Sequence, residues 1–125
     1  MMEKKILKIC ELDIGYAYEG PRFIYLGPYS GEEFRMKYLG PWIDSLKEGE
    51  SSVVDFAGTE MYSPSFLEES FGGIVRLASD KTNAEKNREK LNLINFINIK
   101  PEWKKTLKDY IKNAKYNSEK GKEKA

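Results

Sequence analysis

The residues of this chain best placed to carry chemistry are two serines on either side of a proline, Ser63-Pro64-Ser65. Ser-Pro is a helix-start signal: a serine oxygen accepts from a free backbone N–H of the first turn, and proline at the first helical position gives up no hydrogen bond. Ser65 with Glu68 offers a competing capping box, so either serine caps and the other is an exposed turn residue. A helix start also presents unpaired N–H groups and the positive end of the dipole, which can receive a phosphate or another anion. The helix start at Ser63 and Ser65 is therefore a candidate place to receive an anion. Glu68 and Glu69 already complement the dipole, so an added phosphate would meet like charge and repel a partner rather than order a loop. A second candidate is an anion site, with Ser30 and Gly31 of the loop Gly27-Pro28-Tyr29-Ser30-Gly31 lying between Arg22 and Arg35. The loop lacks the Lys-Ser/Thr pair of a P-loop, and turn geometry alone accounts for its glycines. Asp55, at the end of an apolar run, reads as a loop-facing acid that accepts from nearby N–H groups.

What is missing narrows the chemistry further. The 125 residues include no histidine and one cysteine, which excludes Ser-His-Asp and Cys-His machinery, Cys-rich zinc sites and His-based metal centres. Nothing places a nucleophile beside a base, so the expectation is a non-enzyme with no cofactor and no metal. Cys10 has no internal disulfide partner and reads as a buried structural thiol, which fits the cytoplasm. No apolar stretch approaches the ~20 residues of a membrane span, and the N-terminus lacks the apolar segment of a signal peptide. Net charge is +1, but residues 1–79 hold 8 basic and 13 acidic side chains against 13 and 7 in residues 80–125. That polarity is weaker than a nucleic-acid-binding domain shows, so nucleic acid is disfavoured as a partner.

These residues need elements to position them. Lys4 to Cys10 alternates as a first strand, and Arg22 to Leu26 reads as a second after the Gly20-Pro21 turn. Ser30 with Glu33 is a capping-box pattern opening a helix to about Glu48, with Phe34, Tyr38, Leu39, Trp42, Ile43 and Leu46 on one face. Gly40-Pro41 predicts a kink or break there. Val53 to Phe56 is a short buried strand. The Ser63–Ser79 helix follows, turning Leu67, Phe71, Ile74 and Ala78 inward, while Gly72-Gly73 permits close approach of a neighbour. Asp80 to Lys90 is polar enough for a loop or short exposed helix, and Leu91 to Ile99 alternates as a strand. Pro101 opens a last helix whose apolar face carries Trp103, Leu107, Tyr110, Ile111 and Ala114, with Lys104, Lys105, Lys108, Lys112 and Lys115 on much of the rest. The reading is α/β, order ββαβαβα, with a mixed sheet of four or five strands covered by helices. One domain spans 1–116, and 117–125 is a frayed polar tail.

Val53-Val54-Asp55-Phe56 followed by Ser63-Pro64-Ser65-Phe66-Leu67-Glu68-Glu69-Ser70-Phe71-Gly72-Gly73 resembles the signature of the STAS-like domain family of unassigned function. Tyr29 to Arg35, with Arg22 upstream, is similar to a block of one branch of that family. The resemblance implies a regulatory or adaptor domain that binds a protein partner through the start of the Ser63–Ser79 helix, with Ser63, Ser65 and Phe66 as the candidate residues for partner binding or phosphate acceptance. In the wider superfamily, anti-sigma-factor antagonists are phosphorylated on a serine at this helix start by a GHKL-type kinase that is also the partner. Here Pro64 departs from their Asp-Ser-Ser-Gly pattern. The reading from another class is a small-ligand or nucleic-acid module that uses the basic C-terminal half.

Overall fold

A computed structural model of the chain describes residues 4–12, 18–48, 50–59 and 63–117. Three short parallel strands, Lys4–Lys8 (β1), Ser51–Asp55 (β2) and Asn95–Ile97 (β3), form one sheet in the order β1-β2-β3. Register sets which side chains go inward, because successive residues of a strand face opposite ways. Leu7, Val54 and Phe96 lie in one row and all enter the core, whereas the adjacent row of Ile6, Val53 and Asn95 faces the other way. Ile6 is accordingly 46% exposed.

Parallel strands need long crossovers, and helices supply them here. The first helix, α1, runs through Gly31–Phe34, Arg35–Leu39 and Gly40–Ser45, and the second, α2, through Pro64–Leu67, Glu68–Gly72 and Gly73–Arg76. Lys81–Leu93 (α3) precedes β3, and Pro101–Asn113 (α4) follows it. The α2 helix is the hub, since α1, α3 and α4 all pack on it. Phe34, Phe56, Phe66, Phe71 and Phe96 meet there in tilted, stacked and edge contacts, with ring centroids 5.6–6.4 Å apart.

The parallel strand–helix–strand pairing agrees with the expected α/β class, but three expectations need correction. The sheet has three strands among the described residues, not four or five, and no antiparallel pair. Arg22 to Leu26 is not a strand. The carbonyls of Pro21 and Arg22 accept from Gly31 N (2.8 Å) and Glu32 N (2.9 Å), closing the loop onto the start of α1, and Ile24–Leu26 is a single 3-10 turn. Finally, Leu91 to Ile99 is divided. Asp80 caps α3 by accepting from Asn83 N at 2.8 Å, the helix turns Ala84 and Leu91 inward, and it runs to Leu93, leaving three residues of strand. Alternation over Leu91–Ile94 matched helical spacing equally well, and the cap upstream settled which one formed.

Pro41 does not break α1. Arg35–Leu39 is a π-helical segment in which Gly40 N–H donates to Arg35 O, five residues back. The extra residue displaces the hydrogen-bond ladder just before the ring, so the chain passes Pro41 with Gly40 at φ −58°, ψ −55°. Glu68–Gly72 of α2 is a second π segment, with Gly73 N–H donating to Glu68 O. Each segment leaves two buried apolar residues five positions apart, Phe34 with Leu39 and Phe66 with Phe71. The α1 helix stops at Ser45, short of Glu48, with Leu46 extended, while the expected stop at Gly49 lies outside the described residues. At the other end, Asn117 N–H donates to Arg76 O at 2.9 Å, and the rest of the expected tail, 118–125, also lies outside them.

Candidate functional site

The start of α2 is built by Ser63 in extended conformation (φ −84°, ψ 133°) and Pro64 as the first helical residue. Ser63 O accepts from Leu67 N at 3.2 Å, but its hydroxyl makes no capping hydrogen bond. Ser63 thus holds the capping position without the capping contact. Ser65 is one residue further inside the helix. Both serines are half-buried and Pro64 is exposed. Phe66, grouped with them on sequence, is a core residue with no exposed surface, stacked on Phe34 at 5.6 Å. Its reach to any surface is therefore indirect.

Ser30 behaves as expected at α1, its Oγ accepting from Glu33 N at 3.0 Å. The Glu33 carboxylate turns elsewhere, accepting from Tyr18 Oη at 2.6 Å and Lys37 Nζ at 3.4 Å. Gly31 sits against α2 so closely that a Cβ there would be 2.7 Å from Phe66 O. Ser30 and Gly31 are both buried, as helix-start and packing residues respectively.

Arg22 and Arg35 do converge, but on carboxylates of α2 rather than across the loop. Arg35 Nη1 donates to a Glu69 carboxylate oxygen and, at 3.0 Å, to the Glu69 backbone carbonyl inside the π segment. Arg22 Nη1 reaches Glu68 Oε1 at 2.6 Å and Glu69 Oε1 at 3.2 Å. Arg76 completes the group, pairing with Glu68 through Nη1 and with Glu69 through Nη2 at 3.3 Å. Three guanidinium groups thus share two carboxylates, with Arg35 and Glu69 buried and the others at the margin. Burial alone would raise the Glu68 carboxyl, but hydrogen bonds and charge from Arg22 and Arg76 outweigh it and hold its pKa below the usual range. The group borders a cleft of about 600 Å³ that also includes Phe23, Glu32 and Leu77. The anion held by Arg22 and Arg35 is the protein's own, and the result is a clamp joining the 20–31 loop, α1 and α2.

Glu68, Glu69 and Arg76 were not legible as members of this clamp. One sequence signal pointed to it, the Gly72-Gly73 pair. A Cβ on Gly73 would be 2.8 Å from Arg35 Nη1, and one on Gly72 2.8 Å from Glu68 Oε2, so the two glycines leave room for the ion pairs.

At the carboxyl end of β2, Asp55 Oδ1 accepts from Ala57 N (2.9 Å) and Asn98 Nδ2 (2.8 Å), the loop-facing arrangement its position suggested. The Asn98 hydrogen bond, then that from Ala57, hold its pKa below the ordinary carboxylate value. The same contact ties the end of β2 to Asn98, which has a left-handed φ of 57°. Cys10 is half-buried rather than buried. Burial, then Glu19, Asp55 and Glu11, push its thiol pKa up, away from the reactive thiolate. No helix among the described residues is long and apolar enough to cross a membrane.

Compared with known families, residues 31–102 match the model of the STAS-like domain of unknown function (DUF4325). No curated protein and no solved structure matches the chain.

Proposed function

We propose, because the chain belongs to the STAS-like domain family of unknown function, that it is a regulatory adaptor which binds a protein partner through the start of α2. One observation carries the reading: Ser63 occupies the capping position of a helix anchored in the core by Phe66 and Leu67, yet its hydroxyl is not committed to that cap. A helix start of this kind offers a partner directed N–H groups and a serine hydroxyl on a rigid support. A GHKL-type ATPase is the partner class that the superfamily resemblance brings with it.

Affinity capture from native lysate with the wild-type protein and with Ser65→Glu tests the reading. Ser65 is half-buried, and its replacement adds charge where a partner would sit. Phe66→Ala is unsuitable, because emptying a fully buried aromatic position costs about 3–5 kcal/mol and would confuse unfolding with lost binding. The expected result is a specific partner with wild type and its loss with Ser65→Glu at unchanged thermal stability. Equal capture by both proteins would move the interface elsewhere. Intact-mass analysis after incubation with ATP and the captured partner should show no added phosphate, since Pro64 organises the helix start unmodified and Glu68 and Glu69 already supply negative charge.

A further inference from the structure

On α4, Lys104, Lys105, Lys108 and Lys112 fall within one sector of about 100°, over about 12 Å of axis, at 3.6 residues per turn. Lys105, Lys108 and Lys112 are exposed and Lys104 is half-buried. None of the four belongs to an ion pair among the described residues, although Lys8, Arg22, Arg35, Lys37, Arg76 and Arg88 all do. The apolar side of the helix is committed inward, with Leu107 and Ile111 buried and Trp103 and Tyr110 against the core. Its last turn is fixed by Arg88 of α3, which donates to the carbonyls of Ile111 (2.6 Å), Lys112 (2.9 Å) and Ala114 (2.6 Å). Beside the stripe, Lys108 and Lys112 border a cleft of about 390 Å³, together with Asp109 and Asn92, over a floor of Leu91, Phe96 and Ile111.

We propose that this face is a docking surface for a short acidic segment of a partner protein, with carboxylates on the lysine stripe and one apolar side chain in the adjoining cleft. Charge complementarity identifies the occupant, and its extent sets the occupant's size. Residues 100–115 hold six lysines and two acids, while the whole chain is only +1. The stripe is flanked on the helix by Glu102 and Asp109, which an extended polyanion such as duplex DNA would also meet. The face has no arginine and no outward aromatic with which to read or stack on bases. A membrane is disfavoured because the helix's apolar side is already packed inward. This proposal does not depend on the α2 helix start, and the two fail separately: Ser65→Glu leaves this face intact, and charge reversal here leaves the serines intact.

A displayed library of random 16-residue peptides, selected on the wild-type protein, provides the test. Enriched peptides are expected to carry several Asp or Glu residues beside an apolar residue. By fluorescence anisotropy they should bind the Lys108→Glu/Lys112→Glu variant at least tenfold more weakly, and wild type progressively more weakly as salt rises. Both positions are exposed, so an unchanged melting temperature confirms a folded variant; if the double variant fails to fold, Lys105→Glu with Lys108→Gln replaces it. Absence of acidic enrichment, or equal binding by the charge-reversed variant, overturns the proposal. Tighter binding of a 20-base-pair duplex, lost in the same variant, also overturns it in favour of nucleic acid.

Discussion

Replacing Glu69 with glutamine should be among the more damaging single changes this domain can suffer without any loss of volume. The Glu69 side chain is 6% exposed and receives hydrogen bonds from Arg35, Arg22 and Arg76. Arg22 and Arg76 keep Glu68 after the change, but Arg35, 7% exposed, keeps only uncharged acceptors, the residue-69 backbone carbonyl and the new amide oxygen, and no opposing charge of its own. Breaking a buried pair by removing one partner costs about 3–5 kcal/mol, because the remaining charge stays buried. The lower end applies here, since the carbonyl remains and Arg35 can shift toward Glu68, so about 3 kcal/mol is expected. At roughly 4 °C per kcal/mol for a domain of this size, the melting temperature should fall by about 12 °C. Urea unfolding of wild type, Glu69→Gln, Arg35→Met and the double variant makes the test quantitative. The double variant should recover at least half of the summed single losses, because it removes both members of the pair. A loss below about 1 kcal/mol for Glu69→Gln, or strictly additive losses in the double variant, would refute the reasoning and reduce the clamp to a surface ion pair.

Acid should weaken the same clamp. The folded pKa of Glu68 lies below the ordinary glutamate value of 4.5, so its contribution is present above that value and is lost as pH falls through the folded pKa; urea midpoints from pH 6 to pH 3 should fall less steeply in Glu68→Gln than in wild type. Ser30→Ala should cost about 1 kcal/mol and Ser63→Ala less than about 0.5, because only Ser30 makes the capping bond; equal losses by thermal denaturation would contradict the assigned caps. Gly31→Ala should cost more than about 2 kcal/mol, since the new Cβ meets backbone rather than a movable side chain, and a neutral result in chemical denaturation would mean that α1 and α2 can separate easily. Pro41→Ala should change stability by less than about 0.5 kcal/mol, because the π segment has already relieved the clash; a gain above about 2 kcal/mol would show that the proline is strained in place.

Local signals in the sequence identified elements where one residue determined the outcome. Ser30 and Pro101 opened helices where expected, and the strand expected over Val53 to Phe56 formed at the centre of the sheet, over Ser51–Asp55. Legibility failed where two patterns overlapped or where the cause was distant. The Leu91–Ile94 run satisfied both periods, and Asp80, eleven residues upstream of Leu91, resolved it through its cap. The apolar run Arg22 to Leu26 looked like a strand, but its neighbouring carbonyls were taken by the start of α1, which no property of the run itself reveals. As for the site, Arg22 and Arg35 were read as flanking an anion across the 27–31 loop, whereas the carboxylate they share belongs to Glu69, 47 and 34 residues away in the chain, beyond the reach of any spacing rule. The five-residue separations of Phe34 from Leu39 and of Phe66 from Phe71 were in plain view. They are the marks of an inserted residue in a helix, and a strict 3.6 period passes over them.

The two π segments differ in one respect that bears on how the chain can change length. A π segment is a regular helix holding one residue too many, so deleting a residue from it shortens the loop of backbone and keeps the flanking apolar positions on one face. In α2, no proline follows the segment, and a single-residue deletion between Glu68 and Gly72 that spared Glu69 could close into an ordinary helix. In α1, the same deletion would bring Pro41 against a regular ladder and restore the steric conflict that the extra residue removes. The proline therefore acts as a ratchet: its presence makes the insertion in α1 irreversible by simple loss, whereas the insertion in α2 has no proline behind it and is held by what is built upon it, the arginine clamp and the buried Ser70 and Phe71.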